Sequence, residues 1–137
     1  MSVMSVRVRH IDKSLFKNYL RKSEECLDTA SECLRTSRWN AAVINAVHCG
    51  ISASDALTVF MLGVRHAGER HEDAISLFQT VSLPKDVLTA KSRQLSRLLG
   101  IKNAAEYEER LMNENDAREA VRDAERFSSW VKEYLSK

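Results

Sequence analysis

The chain has 137 residues, which is enough for one domain whose core needs no disulfide or metal to support it. Its 21 basic and 19 acidic residues give a formal net charge of +2 and are well interspersed, unlike the one-signed surfaces of proteins that bind nucleic-acid duplexes. One proline, four glycines and many helix-forming residues argue against a sheet-rich fold and predict an all-α protein.

The start of the chain predicts one helix. Residues 1–11 alternate valine with polar groups and stay unassigned, with a flexible arm as one interpretation, because termini are loose unless something holds them. Apolar residues then recur at helical spacing and predict an amphipathic helix over about Asp12–Thr36, with Asp12 as its N-cap. A break near Ser37 allows an antiparallel return of the chain.

The segment Trp39–Leu62 predicts a buried central helix. It carries no lysine, arginine or glutamate and one aspartate, although 29% of the chain is charged. A helix that is apolar on nearly every side needs other helices around it, because it would otherwise leave a large apolar patch in water. Its length approaches that of a membrane span, but its asparagine, histidine and aspartate favour the core of a cytoplasmic protein.

The rest of the chain predicts more helices of the same bundle. Gly63 is expected to end the central helix in a left-handed cap, and a polar loop follows it. Pro84 is expected at the first turn of a later helix, which Gly100 is able to kink. Further helices are predicted over about Arg70–Val81, from about Lys85, and over about Asn115–Leu135. The prediction is an up-and-down bundle of four or five helices, forming a single domain of residues 1–137.

Thiols and imidazoles give no strong metal motif. The three cysteines, Cys26, Cys33 and Cys49, are too far apart for closely paired zinc ligands and are interpreted as reduced, packed thiols. A second group of ligand types lies close together after the central helix: His66, Glu69, His71, Glu72 and Asp73. Flexible carboxylates of this kind imply no fixed ligand geometry, so a solvated loop is preferred, and we expect no metal and no cofactor.

Four polar residues of the central helix form what we call the polar stripe: Asn45, His48, Ser52 and Asp55. Their spacing of three, four and three residues places them on one side of the helix. Each group left unpaired in a core costs roughly 1–3 kcal/mol, so the stripe is either satisfied inside the bundle or lines a cleft. His48 lies one turn from Ser52 but two turns, about 10 Å, from Asp55, which is too far for a tight intrahelical pair.

Several short segments, taken in order, carry a family resemblance. They are Arg38-Trp39-Asn40-Ala41, the small-residue run from Asn45 to Leu57, His71 followed by Ala74 and Phe78, the segment Leu98–Tyr107, and the end of the last helix at Phe127–Val131. Together they resemble the HEPN family of prokaryotic helical bundles over most of the chain. The resemblance implies a bundle that dimerises across a cleft, and a role in RNA cleavage, in nucleotide or RNA binding, or beside a separate nucleotidyltransferase.

The ribonuclease motif of that family is degraded in this chain. Ribonuclease members carry an arginine and, four to six residues further on, a histidine near the dimer cleft. The matching segment here is Lys102-Asn103-Ala104-Ala105-Glu106-Tyr107, with lysine for arginine and tyrosine for histidine. A tyrosine with a pKa near 10 is a poor proton shuttle at pH 7, and lysine does not fork two bonds onto a phosphate. Arg65 and His71 satisfy the bare spacing but lie after the central helix, where the family does not place its pair.

The expected function is therefore that of a non-catalytic HEPN-like module that forms a homodimer and binds a nucleotide, RNA or a protein partner. We expect no membrane partner. The expected ligand-binding residues are Asn45, His48, Ser52, Asp55, Lys102, Asn103 and Tyr107. In such a site Lys102 contacts phosphate, the two amides donate and accept hydrogen bonds, and Tyr107 stacks or donates.

Two other functions stay open. A toxin-like, metal-independent ribonuclease would use a non-standard site of His48, Asp55, Lys102 and Tyr107, and a plain scaffold would have its stripe satisfied within the bundle. The resemblance also implies a nucleotidyltransferase partner and a place in a toxin–antitoxin or defence system.

Overall fold

The computed structural model describes residues 7–68 and 70–137, without the side chain of His71. Its helices are α1 (Phe16–Arg35), α2 (Trp39–Leu62), α3 (His71–Phe78), α4 (Lys85–Tyr107) and α5 (Glu114–Leu135). Two short strands, β1 (Val8–His10) and β2 (Val64–His66), form a small antiparallel sheet. The α2 helix contacts the other four helices, so the predicted all-α bundle with a central second helix is confirmed.

The central helix has the predicted bounds because its composition leaves few alternatives. Thirteen of its 24 residues are buried, including Val43, Val47 and Leu57. Gly63 ends it at φ 73°, and the Gly63 N–H donates to the Val59 carbonyl at 2.9 Å. By length and composition this helix could cross a membrane. In the structure, however, 67% of its most apolar 18-residue stretch is buried against the rest of the chain, as in the core helix of a bundle.

The helix starts differ slightly from the prediction. Asp12 caps a 3-10 turn over Lys13–Leu15 and not α1 itself, because its Oδ1 accepts the Ser14 N–H at 2.9 Å. The α5 helix begins at Glu114 through a capping box, in which Asn113 and Asp116 each accept the other's backbone N–H, at 2.8 and 3.0 Å. Reciprocal caps of this kind satisfy two donors that a helix start otherwise leaves free.

The loop predicted after α2 contains a strand, so that prediction was wrong. Val8 lies opposite His66, Arg9 opposite Arg65, and His10 opposite Val64. Residues 7–11 of the unassigned arm are thereby held against the end of α2, and residues 1–6 of that arm lie outside the described residues. Three-residue strands are too short for period-two alternation to reveal them.

The α4 helix continues through Gly100 as far as Tyr107. The Lys102–Tyr107 segment therefore forms the last turns of α4. The α3 helix is shorter than predicted, because the chain turns after Phe78 with Val81 N–H donating to the Phe78 carbonyl at 3.1 Å. Phe78 packs on Phe127 of α5, with ring centroids 5.5 Å apart, and this contact joins α3 to the core.

Candidate functional site

The polar stripe and the end of α4 meet at Glu106. Its Oε2 lies 3.5 Å from His48 Nε2, and its Oε1 lies 2.9 Å from Lys102 Nζ, one helical turn earlier. The sequence prediction named His48 and Lys102 but not the carboxylate between them. The spacing of four residues from Lys102 to Glu106 was a signal for that pair, because residues i and i+4 are neighbours on a helix surface.

The ion pair between Glu106 and Lys102 is partly shielded from water. Their side chains are 18% and 19% exposed. Glu106 Oε1 is buried and receives no well-aligned hydrogen bond. Its contact with Lys102 is therefore mainly the attraction of opposite charges. Because a shielded pair is screened less than a surface pair, Glu106 neutralises much of the charge that Lys102 would present to an anionic ligand.

Tyr107 and Asn103 stand on the solvent side of this pair. Tyr107 is 74% exposed, and the Lys102 Nζ lies 5.6 Å from the centre of its ring. A cation at this distance from an aromatic face is attracted by the ring. The exposed ring is therefore a free stacking surface next to an ammonium group, and the exposed Asn103 adds an amide on the same helix.

Three members of the polar stripe line an open groove between α1 and α2. The groove has a volume of about 380 Å³, and its walls are Lys22, Glu25, Cys26, Thr29, Asn45, His48 and Ser52. Asn45 donates from Nδ2 to the Ala41 carbonyl at 2.9 Å, which leaves its amide oxygen available as an acceptor. His48 belongs both to this groove and to the contact with Glu106, so it links the groove to the end of α4.

The thiol in this groove is not an activated nucleophile. Burial raises the pKa of Cys26 above its ordinary value, and the nearby Glu25 carboxylate raises it further. A reactive cysteine needs the opposite environment, one that favours the thiolate. The arrangement of Cys26 and His48 therefore does not support cysteine catalysis.

Asp55 lies apart from the rest of the stripe. It is buried, and its Oδ1 lies 3.6 Å from Nδ1 of His66 on β2. Two helical turns separate it from His48, so the structure brings Asn45, His48 and Ser52 to one groove and places Asp55 at the strand. A carboxylate beside His48 is present all the same, and it comes from Glu106 on a different helix.

The segment after α2 offers no better site in the described residues. Arg65 is in β2, and its Nη1 donates to the His66 carbonyl at 3.2 Å. Glu69 and the His71 side chain, which the motif and metal interpretations used, lie outside the described part of the structure. Across the ranges 7–68 and 70–137, no three His, Cys, Asp or Glu side chains come close enough to hold a metal ion.

Comparison with known proteins points to one family. A family model described as the HEPN domain matches residues 16–134. The structure resembles the crystal structure of an archaeal HEPN homologue with a TM-score of 0.62 and 20% sequence identity, covering 88% of this chain and 97% of that one. At this identity the likeness shows a common fold. None of the curated proteins matches the sequence.

Proposed function

This chain belongs to the HEPN domain family, and from that premise we propose that it is a non-catalytic module that binds a nucleotide or RNA at the end of α4. The observation that supports binding over catalysis is the ion pair of Glu106 with Lys102. An RNA-cutting site needs one group to move a proton and a free cation to steady the phosphate. Here the cation at the end of α4 is already paired with a carboxylate.

The proposed ligand matches the mixed chemistry of this corner. Lys102 contacts a phosphate, Tyr107 stacks on the base, and the amides of Asn45 and Asn103 hydrogen-bond the base or sugar. A sugar hydroxyl donates to Glu106, which accepts hydrogen bonds on the same side as His48. A nucleotide supplies both the donor and the anion that this carboxylate and ammonium require, whereas inorganic phosphate supplies only the anion.

We propose that the module acts as a homodimer. Tyr107 and Leu111, which lie at and just after the end of α4, are 74% and 75% exposed. Large apolar side chains grouped on a surface commonly mark an interface. A second copy over this surface would close a cleft around Lys102 and Tyr107. A nucleotidyltransferase, in a cytoplasmic toxin–antitoxin or defence system, is the alternative partner for the same surface.

A second candidate function is a metal-independent ribonuclease. The His48 side chain is 46% exposed and lies 3.5 Å from a carboxylate oxygen, which is an orientation suited to a general base. In this version Glu106 takes the role that the sequence assigned to Asp55, while Lys102 and Tyr107 complete the site.

Two assays on the purified protein separate these functions. One is incubation with labelled RNA in excess chelator, which reports cleavage, and the other is calorimetric titration with a mononucleotide, which reports affinity. Intact RNA and a measurable nucleotide affinity that Lys102→Gln weakens would support the binding module. RNA cleavage that His48→Ala abolishes would replace it with the ribonuclease. Intact RNA with no nucleotide affinity would overturn both and leave a protein partner or a scaffold. A native mass equal to two 15.6 kDa chains is expected for the homodimer.

A further inference from the structure

The small sheet concentrates positive charge on one of its faces. Arg9 and Arg65 are direct partners across the two strands. Because side chains alternate along a strand, Arg7, Arg9 and Arg65 fall on the same face. Lys13 lies near the end of this sheet, since its Cε is 3.5 Å from the position of a Cβ built on Gly63, two residues before Arg65. We call these four residues, Arg7, Arg9, Lys13 and Arg65, the basic ribbon.

In the part of the chain that the structure describes, the basic ribbon has none of the ion pairs that other basic residues of the bundle form. Like charges directly opposite each other destabilise an antiparallel pair. Within residues 7–68 and 70–137, no carboxylate lies within 4.0 Å of a charged nitrogen of these four side chains. By contrast, Arg97 and Arg118 each pair with a carboxylate, at 2.9 and 2.6 Å. The Nε of Arg65 is also buried without a hydrogen-bond acceptor. In a chain with a net charge of only +2, these four side chains form a local excess of positive charge with no ion pair to any described residue.

The basic ribbon is separate from the site proposed above. It packs beyond Leu62, at the end of α2, which is 14 residues or about 21 Å along the helix from His48. Three of its members, Arg7, Arg9 and Lys13, precede the matched family region, which begins at residue 16. Most of the ribbon therefore lies outside the part of the chain that the family model matches.

We infer that the basic ribbon binds the phosphate groups of a polynucleotide backbone. A guanidinium forks two hydrogen bonds onto phosphate oxygens, and three of the four cations are arginines. Arg7 and Arg9 lie about 6.8 Å apart along the strand, so their guanidiniums are able to contact two successive phosphates of one strand. A polymer with a charge on every residue fits such a row better than an isolated anion does.

The test measures fluorescence anisotropy of labelled RNA and DNA, each as a single strand and as a duplex, over a range of salt concentrations. The wild-type affinity is expected to fall as salt rises, because bound cations displace counterions from the phosphates. The variant Arg7→Gln/Arg9→Gln is expected to bind about tenfold more weakly and to lose about 0.7 of log–log slope per contact on a single strand, or about 0.9 on a duplex. Comparison of RNA with DNA shows whether the 2′-hydroxyl contributes.

The matched control is Arg118→Gln/Arg122→Gln, which removes the same charge from two exposed positions on α5. Its affinity and salt slope are expected to match those of the wild type, and circular dichroism checks that both double variants remain folded. If the two double variants lost the same amount of affinity for nucleic acid, the loss would come from the change in net charge alone, and the inference would be overturned. Absence of binding to all four nucleic acids would also overturn it.

Two further outcomes distinguish the basic ribbon from a site for acidic protein and from the proposed site on α4. If a polyglutamate peptide of equal charge competes as well as RNA, the ribbon recognises acidic protein and not phosphate, and the inference fails. If Lys102→Gln weakens polynucleotide binding and the ribbon variant does not, the ribbon inference fails while the site on α4 stands. Retention of ribbon binding by Lys102→Gln, with loss of mononucleotide affinity, is the expected result.

Discussion

Asp123, buried in α5, accepts two hydrogen bonds from the guanidinium of Arg97 on α4, at 3.0 Å from Nε and 2.9 Å from Nη2. The Asp123 side chain is 6% exposed and that of Arg97 is 57% exposed. The hydrogen bonds that Arg97 donates to Asp123 raise the pKa of Arg97 above its ordinary value. This bidentate pair fixes α4, and with it Lys102 and Glu106, against the rest of the bundle.

Arg97→Ala is expected to lower the free energy of unfolding by about 2–3 kcal/mol, because it leaves a buried carboxylate unpaired. The loss is smaller than for a fully buried pair, since water reaches Arg97. Urea unfolding followed by circular dichroism measures it. The control, Arg118→Ala, breaks a surface pair with Glu114 and is expected to cost about 0.5 kcal/mol or less. Equal losses in the two variants would mean that the Arg97 pair is no stronger than a surface pair.

Lys102→Gln and Glu106→Gln are expected to change nucleotide affinity in opposite directions. The first removes the cation proposed to contact phosphate, and the second frees that cation from its carboxylate at 2.9 Å. Calorimetric titration should show a several-fold loss for Lys102→Gln and a several-fold gain for Glu106→Gln. Glu133→Gln, an exposed change of the same charge on α5, is the control. A loss in both test variants would show instead that the ligand depends on the charge of the Glu106 carboxylate more than on a freed Lys102.

Two glycine substitutions are expected to change stability with opposite signs. A Cβ on Gly50 would lie 2.7 Å from Cδ1 of the buried Leu98, so Gly50→Ala forces the Leu98 side chain to shift in the core and costs about 1–3 kcal/mol, less what alanine returns in helix propensity. Gly100 is exposed with no atom within 4 Å of such a Cβ, so Gly100→Ala is expected to stabilise by about 0.5–1 kcal/mol. Thermal unfolding measures both. A stabilised Gly50→Ala protein would contradict the close approach of the two helices.

Cys26 is expected to alkylate slowly at neutral pH. Burial and Glu25 raise its pKa, so the thiol stays protonated beyond the pH at which an ordinary cysteine ionises. A raised pKa in the folded state also means that the contribution of this thiol to stability is complete below its unfolded pKa and is lost as the pH rises through the folded one. The rate at which iodoacetamide alkylates Cys26, measured as a function of pH, reports the pKa of this thiol.

Glu25→Gln is the control for that prediction. It removes the second cause and is expected to move the rate profile of Cys26 to lower pH while the profile keeps its shape. Cys33 and Cys49 are buried and are expected to react more slowly than Cys26 in both proteins. A wild-type rate that reaches its plateau near neutral pH would mean that Cys26 is not shielded as described.

Much of the bundle was predictable because helical periodicity persists over long segments. The bounds of α2 followed from its lack of charge and from Gly63, and the start of α4 from Pro84. Short elements were not predictable in the same way. The strands Val8–His10 and Val64–His66 each hold three residues, and they form because two distant segments meet.

The candidate site was predictable only in part. His48 and Lys102 were recognisable from helical spacing and from a degraded motif. Their common partner, Glu106, was not, because nothing in the spacing between residues 48 and 106 encodes contact between two helices. The same limit applies to Asp55, whose periodicity places it on the side of His48 while its actual partner, His66, comes from a strand.

The sequence by itself determined the fold class and the central helix, because composition and period act within one segment. Tertiary structure alone decided that Glu106 lies between His48 and Lys102, that Asp55 faces His66, and that Arg9 lies opposite Arg65. The physical reason is that contacts between distant segments depend on how helices pack and on where the chain returns. Side-chain spacing along one element carries no such information.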